Sequence, residues 1–365
     1  MKSIVEELRL LTSIPALSGL EDRMIKEMVD RFTPLADAVE VDRIGNITAT
    51  FQGTKAKTPT MLVFAHVDEL GLMVSKVEKD GFLRFNRIGG VPEKTLMGQY
   101  MDVHALDGNS HVTGFVGTYA HHLTPPEWKR TVPDHEKMYI DLGFDSDEEV
   151  LAHGIDIGSA VTYQHNFHEL GNGKITSKAL DNRIGVLILI ALAEHLHKNP
   201  PQGTVYVVAS VQEEFNIRGV MPAFTRLEPD ASICIDITPA CDPPDLNHKY
   251  ATALGKGPAI MHMNFHGRGT LGGLIPNPKL RMYMEKTLRD TMIPFQRETA
   301  LGVITDDAFT LMAGTQGTAM AHLSIPMRYS HSPVETACVS DIELTIKGVN
   351  AIVENFGAAI DLSRG

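Results

Sequence analysis

The chain has 365 residues, with 33 Lys and Arg against 45 Asp and Glu and a formal net charge of −12 at pH 7. This balance argues against nucleic acid as a partner, because a surface that binds a polyanion needs a cluster of basic residues, and the sequence contains none. The hydrophobic share of 43% is typical of a folded globular protein, and the length indicates about two domains.

A membrane partner is not expected either. The longest apolar run, residues 184–193, is about half the roughly 20 residues that cross a bilayer. Glu6 and Glu7 stand where a signal peptide would be uncharged and apolar. The 3 cysteines have no paired spacing, which argues against a disulfide framework and predicts a reducing, cytoplasmic setting.

The first part of the chain predicts two helices and a buried strand. Ser3 with Glu6, and Ser18 with Glu21, fit the S-x-x-E capping box, which marks the start of a helix. Residues 61–65 (MLVFA) form a continuous apolar run, which is typical of a strand buried on both faces.

Residues 70–165 predict a small β-barrel or sandwich, and we expect the barrel. Residues 73–85 fit a hairpin that turns at Asp80-Gly81, and Asp107-Gly108 marks a second turn of this kind. We therefore expect residues 70–165 to be an inserted domain. It would interrupt an α/β domain made of residues 1–69 and 166–365.

The α/β pattern returns after residue 174. Residues 184–197 predict a helix that is apolar nearly all round and therefore buried, and residues 204–211 and 231–237 predict further buried strands. A last helix is expected to begin at a capping box formed by Ser340 and Glu343. Strands that alternate with helices predict an α/β fold, with a largely parallel mixed sheet flanked by helices.

Acidic and histidine side chains lie at or just after the ends of the predicted buried strands: His66, Glu213, Glu214 and Asp236. Because loops at the carboxyl ends of parallel strands meet in one crevice, we expect these side chains to converge. Two further candidates are Asp181, just before the buried helix, and His331, in the loop after residues 319–325.

Each candidate alone has a structural explanation; Asp181, for instance, fits a helix N-cap. Together they indicate a cation site, because crowded carboxylates repel one another unless cations hold them. Mixed imidazole and carboxylate ligands suit zinc, cobalt or manganese.

Six segments carry a resemblance to a known family: residues 65–74 (AHVDELGLMV), 177–186 (SKALDNRIGV), 211–220 (VQEEFNIRGV), 234–245 (CIDITPACDPPD), 254–260 (LGKGPAI) and 325–335 (IPMRYSHSPVE). With these motifs in this order, the sequence resembles the tetrahedral and glutamyl aminopeptidases. That family of dinuclear metallopeptidases has members also labelled endoglucanase or deblocking aminopeptidase. The resemblance covers nearly the whole chain and implies a zinc-peptidase-like fold.

The resemblance also implies site roles. Two divalent metal ions per subunit (zinc, or cobalt or manganese) would be bound by His66, Asp181, Glu214, Asp236 and His331, with Asp181 bridging both ions. Glu213 would be the general base, and Asp68 would orient the imidazole of His66. The peptide bond Asp181-Asn182 would be cis. The substrates would be short peptides, and the inserted barrel would form a dimer contact from which tetrahedral dodecamers assemble.

The sequence departs from the family pattern beside the two glutamates. Phe215 and Asn216 stand where the family usually has a small aliphatic residue and Gly, and we expect Asn216 to supply the left-handed backbone that Gly would provide. Asp307 replaces a small residue after the pair Thr305-Asp306, and we assign that pair no catalytic role.

Two other functions stay open beside a metal-dependent aminopeptidase. One is a dinuclear-metal deacylase or amidohydrolase acting on small N-acyl substrates, and the other is a non-catalytic binding protein on the same fold. Glycoside cleavage needs two free carboxyl groups roughly 5–9.5 Å apart. It is disfavoured because the candidate carboxylates are expected to bind cations.

Overall fold

The computed structural model describes residues 3–246, 249–266, 272–302, 305, 310, 316–357 and 360–364. Its helices are α1 (Ile4–Leu11), α2 (Asp22–Phe32), α3 (Asp147–Ala152), α4 (Leu180–Lys198), α5 (Glu213–Asn216), α6 (Met221–Leu227), α7 (Pro278–Asp290) and α8 (Val339–Asn355). Asp306 and Asp307 lie outside the described residues.

The strands fall into two groups. Those of a large sheet are β1 (Ala38–Val41), β2 (Ile47–Phe51), β3 (Met61–His66), β10 (His168–Leu170), β11 (Lys174–Ser177), β12 (Val205–Ser210), β13 (Ala231–Pro239), β14 (Ala259–His266), β15 (Gly272–Leu274), β16 (Gln296–Leu301), β17 (Ala319–Arg328) and β18 (Glu335–Cys338). Those of a closed barrel are β4 (Gly71–Val77), β5 (Leu83–Ile88), β6 (Tyr100–His104), β7 (His111–Val116), β8 (Ile140–Asp141) and β9 (Ala160–Tyr163).

The large sheet is mixed, as predicted. Hydrogen-bonded neighbours follow the order β1-β2-β12-β3-β13-β17-β18-β11-β10, and β14 also pairs with β17. Strands β12, β3, β13 and β17 are parallel neighbours, whereas the pairs toward both edges are antiparallel. The parallel strands therefore form the centre of the sheet, and their carboxyl ends lie at the same edge.

Both faces of this sheet are covered, which explains the continuous apolar runs. Met61, Val63 and Ala65 of β3 belong to the core that includes α1, α2, α4, α7 and α8. Leu62 and Phe64 point the other way, toward α6, because successive strand residues alternate between faces. There Phe64 meets the ring of Phe224 edge to face, with centroids 5.3 Å apart. These observations confirm the predicted fold class.

The barrel closes in the order β4-β5-β8-β7-β6-β9 and has a hydrophobic core of its own. The predicted turns lie where expected: Gly81 connects β4 to β5, and Gly108 connects β6 to β7, both with positive φ. Within the described residues, no helix has the length and apolar character needed to span a membrane.

The three predicted capping boxes have different outcomes. The box of Ser3 and Glu6 is present in full at the start of α1. Helix α2 has Glu21 at its N-cap without a side-chain cap, so the prediction for Ser18 and Glu21 is wrong. Helix α8 begins at Val339 and also lacks a side-chain cap, because β18 runs directly into it and Cys338 is its N-cap.

Candidate metal centre

The parallel strands position most of the predicted site residues at one edge of the sheet. His66 is the last residue of β3, and Asp236 lies within the carboxyl-terminal half of β13. Glu213 and Glu214 begin α5, three residues after the end of β12, and His331 comes three residues after the end of β17. Asp181 enters from the start of α4, which packs on the same strands.

Asp181 lies at the centre of the cluster, between two groups of side chains. Its Oδ1 is 3.3 Å from Nε2 of His66, which is in turn 3.9 Å from Oδ1 of Asp236. Its Oδ2 is 3.7 Å from Nε2 of His331, which is 3.7 Å from Oε2 of Glu214. Each carboxylate oxygen of Asp181 therefore lies near one histidine, and each of these histidines lies near one further acidic residue.

Both histidines are held with Nε2 facing the carboxylates. Nδ1 of His66 is 3.1 Å from the backbone oxygen of Asp68, and Nδ1 of His331 is 3.2 Å from the backbone oxygen of Gly90. A carbonyl oxygen only accepts, so Nδ1 carries the hydrogen in each ring. The Nε2 lone pair is then directed into the cluster, as a metal ligand requires.

The carboxylate of Asp68 contacts the glutamate turn as well as the imidazole. Its Oδ1 is 3.4 Å from Nδ1 of His66 and accepts the backbone N–H of Glu213 at 3.0 Å. Its Oδ2 accepts the backbone N–H of Glu214 at 3.0 Å and the hydroxyl of Ser18. These donors lower the pKa of Asp68, although its burial opposes them. One fixed negative charge thus holds the first turn of α5 against the loop after β3.

The donor set fits divalent cations on three observations. Burial and neighbouring charges raise the pKa of Glu214 to about 7 and that of Asp236 to about 7, so these carboxyl groups lack compensating positive charge. The buried Oε1 of Glu214 has no hydrogen-bond partner among the described residues. Ligand atoms of His66, Asp181 and Glu214 also lie within 4.8 Å of one another. A cation would satisfy all three conditions.

The spacing of the ligand atoms supports the same conclusion. Atoms bound tetrahedrally at 2.0–2.2 Å from one ion are roughly 3.3–3.6 Å apart. The distances of 3.3 Å from His66 to Asp181 and 3.7 Å from His331 to Asp181 and to Glu214 are close to this range. Oε2 of Glu213 also lies near the cluster, 3.9 Å from Nε2 of His66, which is the same distance as that of Oδ1 of Asp236.

The cluster forms the floor of an open cleft of about 700 Å³. Phe215 projects into it with 63% of its surface exposed, next to Ile217 and Arg218.

The prediction that Asn216 adopts the left-handed backbone is wrong. Asn216 ends α5, its side chain donates to Oε1 of Gln212 at 3.0 Å, and the left-handed conformation falls on Ile217, with φ of 53°.

Three residues that contact the site were not assigned to it from the sequence. Ser18 donates to Asp68, and Oε1 of Glu21 accepts the backbone N–H of Gln212 at 3.1 Å. The carboxylate of Glu335 accepts the backbone N–H of Asp181 and that of His331. The signal for Glu335 is an acidic residue four positions after a candidate ligand, at the end of a segment that carries the family resemblance. The peptide bond Asp181-Asn182 is cis, as the resemblance implies.

Comparison with known proteins gives matches along nearly the whole chain. Residues 45–347 match the M42 glutamyl aminopeptidase family. The chain is 34% identical to a lysyl aminopeptidase of Pyrococcus furiosus over 97% of its own length and 96% of that protein. Its structure is similar to that of aminopeptidase APDkam598 from the archaeon Desulfurococcus kamchatkensis, with a TM-score of 0.89, 35% identity and coverage of 96% and 94%.

A further similar structure is the TET1 peptidase of Pyrococcus horikoshii, which can assemble into a tetrahedron or a large octahedral shell. The TM-score is 0.83 and the identity is 28%, over 97% of this chain and 100% of the other.

Proposed function

The chain belongs to the M42 glutamyl aminopeptidase family, and from this premise we propose that it is a dinuclear metal-dependent aminopeptidase acting on the free amino termini of short peptides. The observation that carries the proposal is the position of Asp181 between two sets of ligand atoms, His66 with Asp236 and His331 with Glu214. Such an arrangement suits two cations that share one carboxylate.

The proposed ligands divide between the two ions. His66 and Asp236 would hold one ion, Glu214 and His331 would hold the other, and Asp181 would contact both. Zinc, cobalt and manganese all accept this mixture of imidazole and carboxylate. When bound, such ions lower the pKa of a water molecule toward neutrality and stabilise negative charge on a carbonyl oxygen.

Glu213 is the proposed general base. It would take a proton from the attacking water and deliver it to the departing amine. Its backbone N–H donates to Asp68, and its side chain is 7% exposed in the wall of the cleft. The neighbouring Glu214 is proposed as a ligand because its Oε2 lies 3.7 Å from Nε2 of His331 and its buried Oε1 has no hydrogen-bond partner among the described residues.

Asp68 is proposed to support both tasks. It lies beside Nδ1 of His66 and accepts the backbone N–H groups of Glu213 and Glu214. A single carboxylate would thereby fix the orientation of the first imidazole and the position of the base.

The experiment uses enzyme stripped of metal by a chelator and then supplied with zinc, cobalt or manganese separately. We expect hydrolysis of aminoacyl-p-nitroanilides to be lost on stripping and restored by at least one metal. The same compounds acetylated on the amino group should be resistant. If N-acyl amino acids are hydrolysed instead, the protein is a deacylase. If no metal restores hydrolysis of any substrate, the non-catalytic alternative gains support.

Assembly and location are part of the proposal. We propose that residues 70–165 form a dimerisation domain inserted into a catalytic domain of residues 1–69 and 166–365, and that dimers assemble into a tetrahedral dodecamer in the cytoplasm. The support is the closed barrel with its own core and the similarity to a peptidase that forms such shells. A hollow shell would admit short or unfolded peptides.

A further inference from the structure

Glu335 connects the two segments that carry Asp181 and His331. Its Oε2 accepts the backbone N–H of Asp181 at 3.0 Å, and its Oε1 accepts the backbone N–H of His331 at 2.9 Å. The side chain is buried, with 2% of the residue exposed. Both oxygens of one carboxylate are thus used to hold the backbone of two candidate ligands that are 150 residues apart in the chain.

The sheet explains why this one residue can reach both segments. Glu335 is the first residue of β18, which pairs with β17 on one side and β11 on the other. Strand β17 leads into the loop with His331, and β11, whose Ser177 is opposite Glu335, leads to Asp181. The strand between the two ligand-bearing segments therefore supplies the side chain that joins them.

We infer that Glu335 is a positioning residue, which sets the distance between Asp181 and His331 and so makes the second cation site. This inference rests on the proposed metal centre. Nε2 of His331 and Oδ2 of Asp181 are 3.7 Å apart, so a small displacement of either backbone would change the ligand spacing. Hydrogen-bond partners that orient metal ligands typically contribute a factor of about 10–100 to metal affinity.

The substitution Glu335→Gln tests this at nearly constant volume. A glutamine offers one acceptor oxygen and one NH₂ group, which is a donor. One of the two backbone N–H groups would then face another donor and lose its partner. The segment that carries this N–H is expected to move away from its neighbour.

Asp341 provides a matched control. It is also a buried carboxylate that accepts two backbone N–H groups, those of Gly255 and Gly257, each at 2.7 Å. The substitution Asp341→Asn makes the same chemical change at the start of α8 and touches none of the candidate ligands. It therefore reports what the loss of such a carboxylate does to stability alone.

The measurement is zinc binding to the metal-free full-length protein by competition with a chromophoric chelator, together with the rise in melting temperature on adding zinc. For Glu335→Gln we expect at least one zinc site to weaken by a factor of about 10–100 and the rise to shrink accordingly. For Asp341→Asn we expect wild-type zinc affinity, even where the melting temperature of the metal-free protein falls.

The possible results separate the inference from the proposed function. The inference would be overturned if Glu335→Gln bound zinc as tightly as the wild type. It would also be overturned if Asp341→Asn lost as much zinc affinity as Glu335→Gln. A wild-type protein that binds no zinc, cobalt or manganese would instead overturn the metal centre itself.

If Glu335→Gln does not fold, Glu335→Asp provides the test instead. It keeps the charge but is too short to reach both N–H groups, and wild-type affinity there would refute the inference.

Discussion

The candidate metal centre depends on backbone groups as much as on side chains. The carbonyl oxygens of Asp68 and Gly90 determine which nitrogen of His66 and His331 carries the hydrogen. The N–H groups of Glu213 and Glu214 converge on Asp68. Ligands fixed in this way lose little conformational freedom when a cation binds, so the cluster is arranged before binding.

The proposed general base is tested by Glu213→Gln. We expect this variant to retain both metal ions, because Glu213 is not a proposed ligand, and to lose turnover by a factor of about 10²–10⁴, which is the usual contribution of a general base. The measurement is kcat on an aminoacyl-p-nitroanilide with the metal content determined on the same sample. Near-wild-type kcat would show that the proton is taken by another group.

Glu214→Gln is the matched variant on the neighbouring residue. It removes a proposed ligand, so it should lower the metal content as well as kcat. If the two variants behave the same way in metal content, the division of roles between the adjacent glutamates is wrong.

Glu21 is predicted to make stability depend on pH. Burial and the charge of Asp68 raise the pKa of Glu21 to about 7, from 4.5. Between these values the unfolded chain releases the proton first, so stability falls as pH rises. Because glutamine still accepts the N–H groups of Gly19 and Gln212, Glu21→Gln should stabilise the metal-free protein by up to about 3 kcal/mol at pH 8 and have little effect at pH 4.

The check is the free energy of unfolding in urea for both proteins at the two pH values. A variant that is less stable than the wild type at pH 8 would contradict the prediction. Such a result would mean that the hydrogen bond from the backbone N–H of Gln212 to the ionised carboxylate contributes more free energy than burial of the charge costs.

Particular residues show how far the sequence predicted the site. His66, Asp181, Glu214, Asp236 and His331 were proposed from strand ends and from the family resemblance, and the structure brings them together. Ser18 and Glu21 were interpreted as a helix cap because the pattern is local, whereas their actual partners, Asp68 and Gln212, are distant in the chain. A short-range pattern contains no information on such contacts.

At the level of elements, a buried ion pair joins two of the segments that carry candidate ligands. Lys178 donates to both carboxylate oxygens of Glu69, at 2.8 and 2.6 Å, and both residues are almost fully buried. Arg183 of α4, which is fully buried, donates to the backbone oxygens of Val67 and Ile14. These contacts attach the start of α4, with Asp181, to the loop that follows β3.

The barrel strands contain a histidine that is predicted to weaken the fold at low pH. His104 of β6 is buried and pairs with the hydroxyl of Thr162 on β9 at 3.0 Å, and burial lowers its pKa from 6.5 to about 4. Between these values the unfolded state binds a proton that the folded state does not, so stability is lost as pH falls. Removing this group should therefore reduce the acid sensitivity of the protein.

His104→Gln is the variant that measures this effect. Between pH 7 and pH 4.5 the wild type should lose about 2 kcal/mol more unfolding free energy than the variant, from urea titrations at both pH values. His168→Gln, at an exposed position on β10, is the control and should follow the wild type. Equal losses in the wild type and His104→Gln would refute the assignment.

The elements also show what the sequence could not predict. The buried strands at 61–65, 204–211 and 231–237 were predicted because parallel strands covered on both faces are continuously apolar. The antiparallel pairs toward the edges of the sheet, such as those of β18 with β17 and β11, were not predicted. Strand order is determined by contacts across the whole chain. For the same reason Glu335 was not recognised as a residue that joins two segments with candidate ligands.

For the whole molecule, exposed aromatic rings on the barrel domain are candidates for the contacts of the proposed assembly. Tyr119 and Trp128 are both exposed and have ring centroids 5.6 Å apart, beside a cleft of about 380 Å³. Tyr100 and Phe115 form a second exposed pair, at 6.3 Å. Exposed apolar groups in such clusters are typical of protein–protein interfaces. This supports the proposed dimerisation role of the barrel.

Trp128→Asp should reduce the mass of the assembly. A charge placed in an apolar contact must be desolvated without a partner, so the proposed dodecamer is expected to dissociate into smaller species in mass photometry. Leu151→Asp, at an exposed position on α3, is the control and should assemble as the wild type does. An unchanged dodecamer in Trp128→Asp would exclude this surface as a contact.

The most direct test of the account is anomalous X-ray scattering from crystals of the zinc-loaded protein. We predict two peaks on either side of the Asp181 carboxylate, one bound by His66 and Asp236 and the other by Glu214 and His331. A single peak, or peaks remote from Asp181, would contradict the dinuclear centre on which the proposed reaction depends.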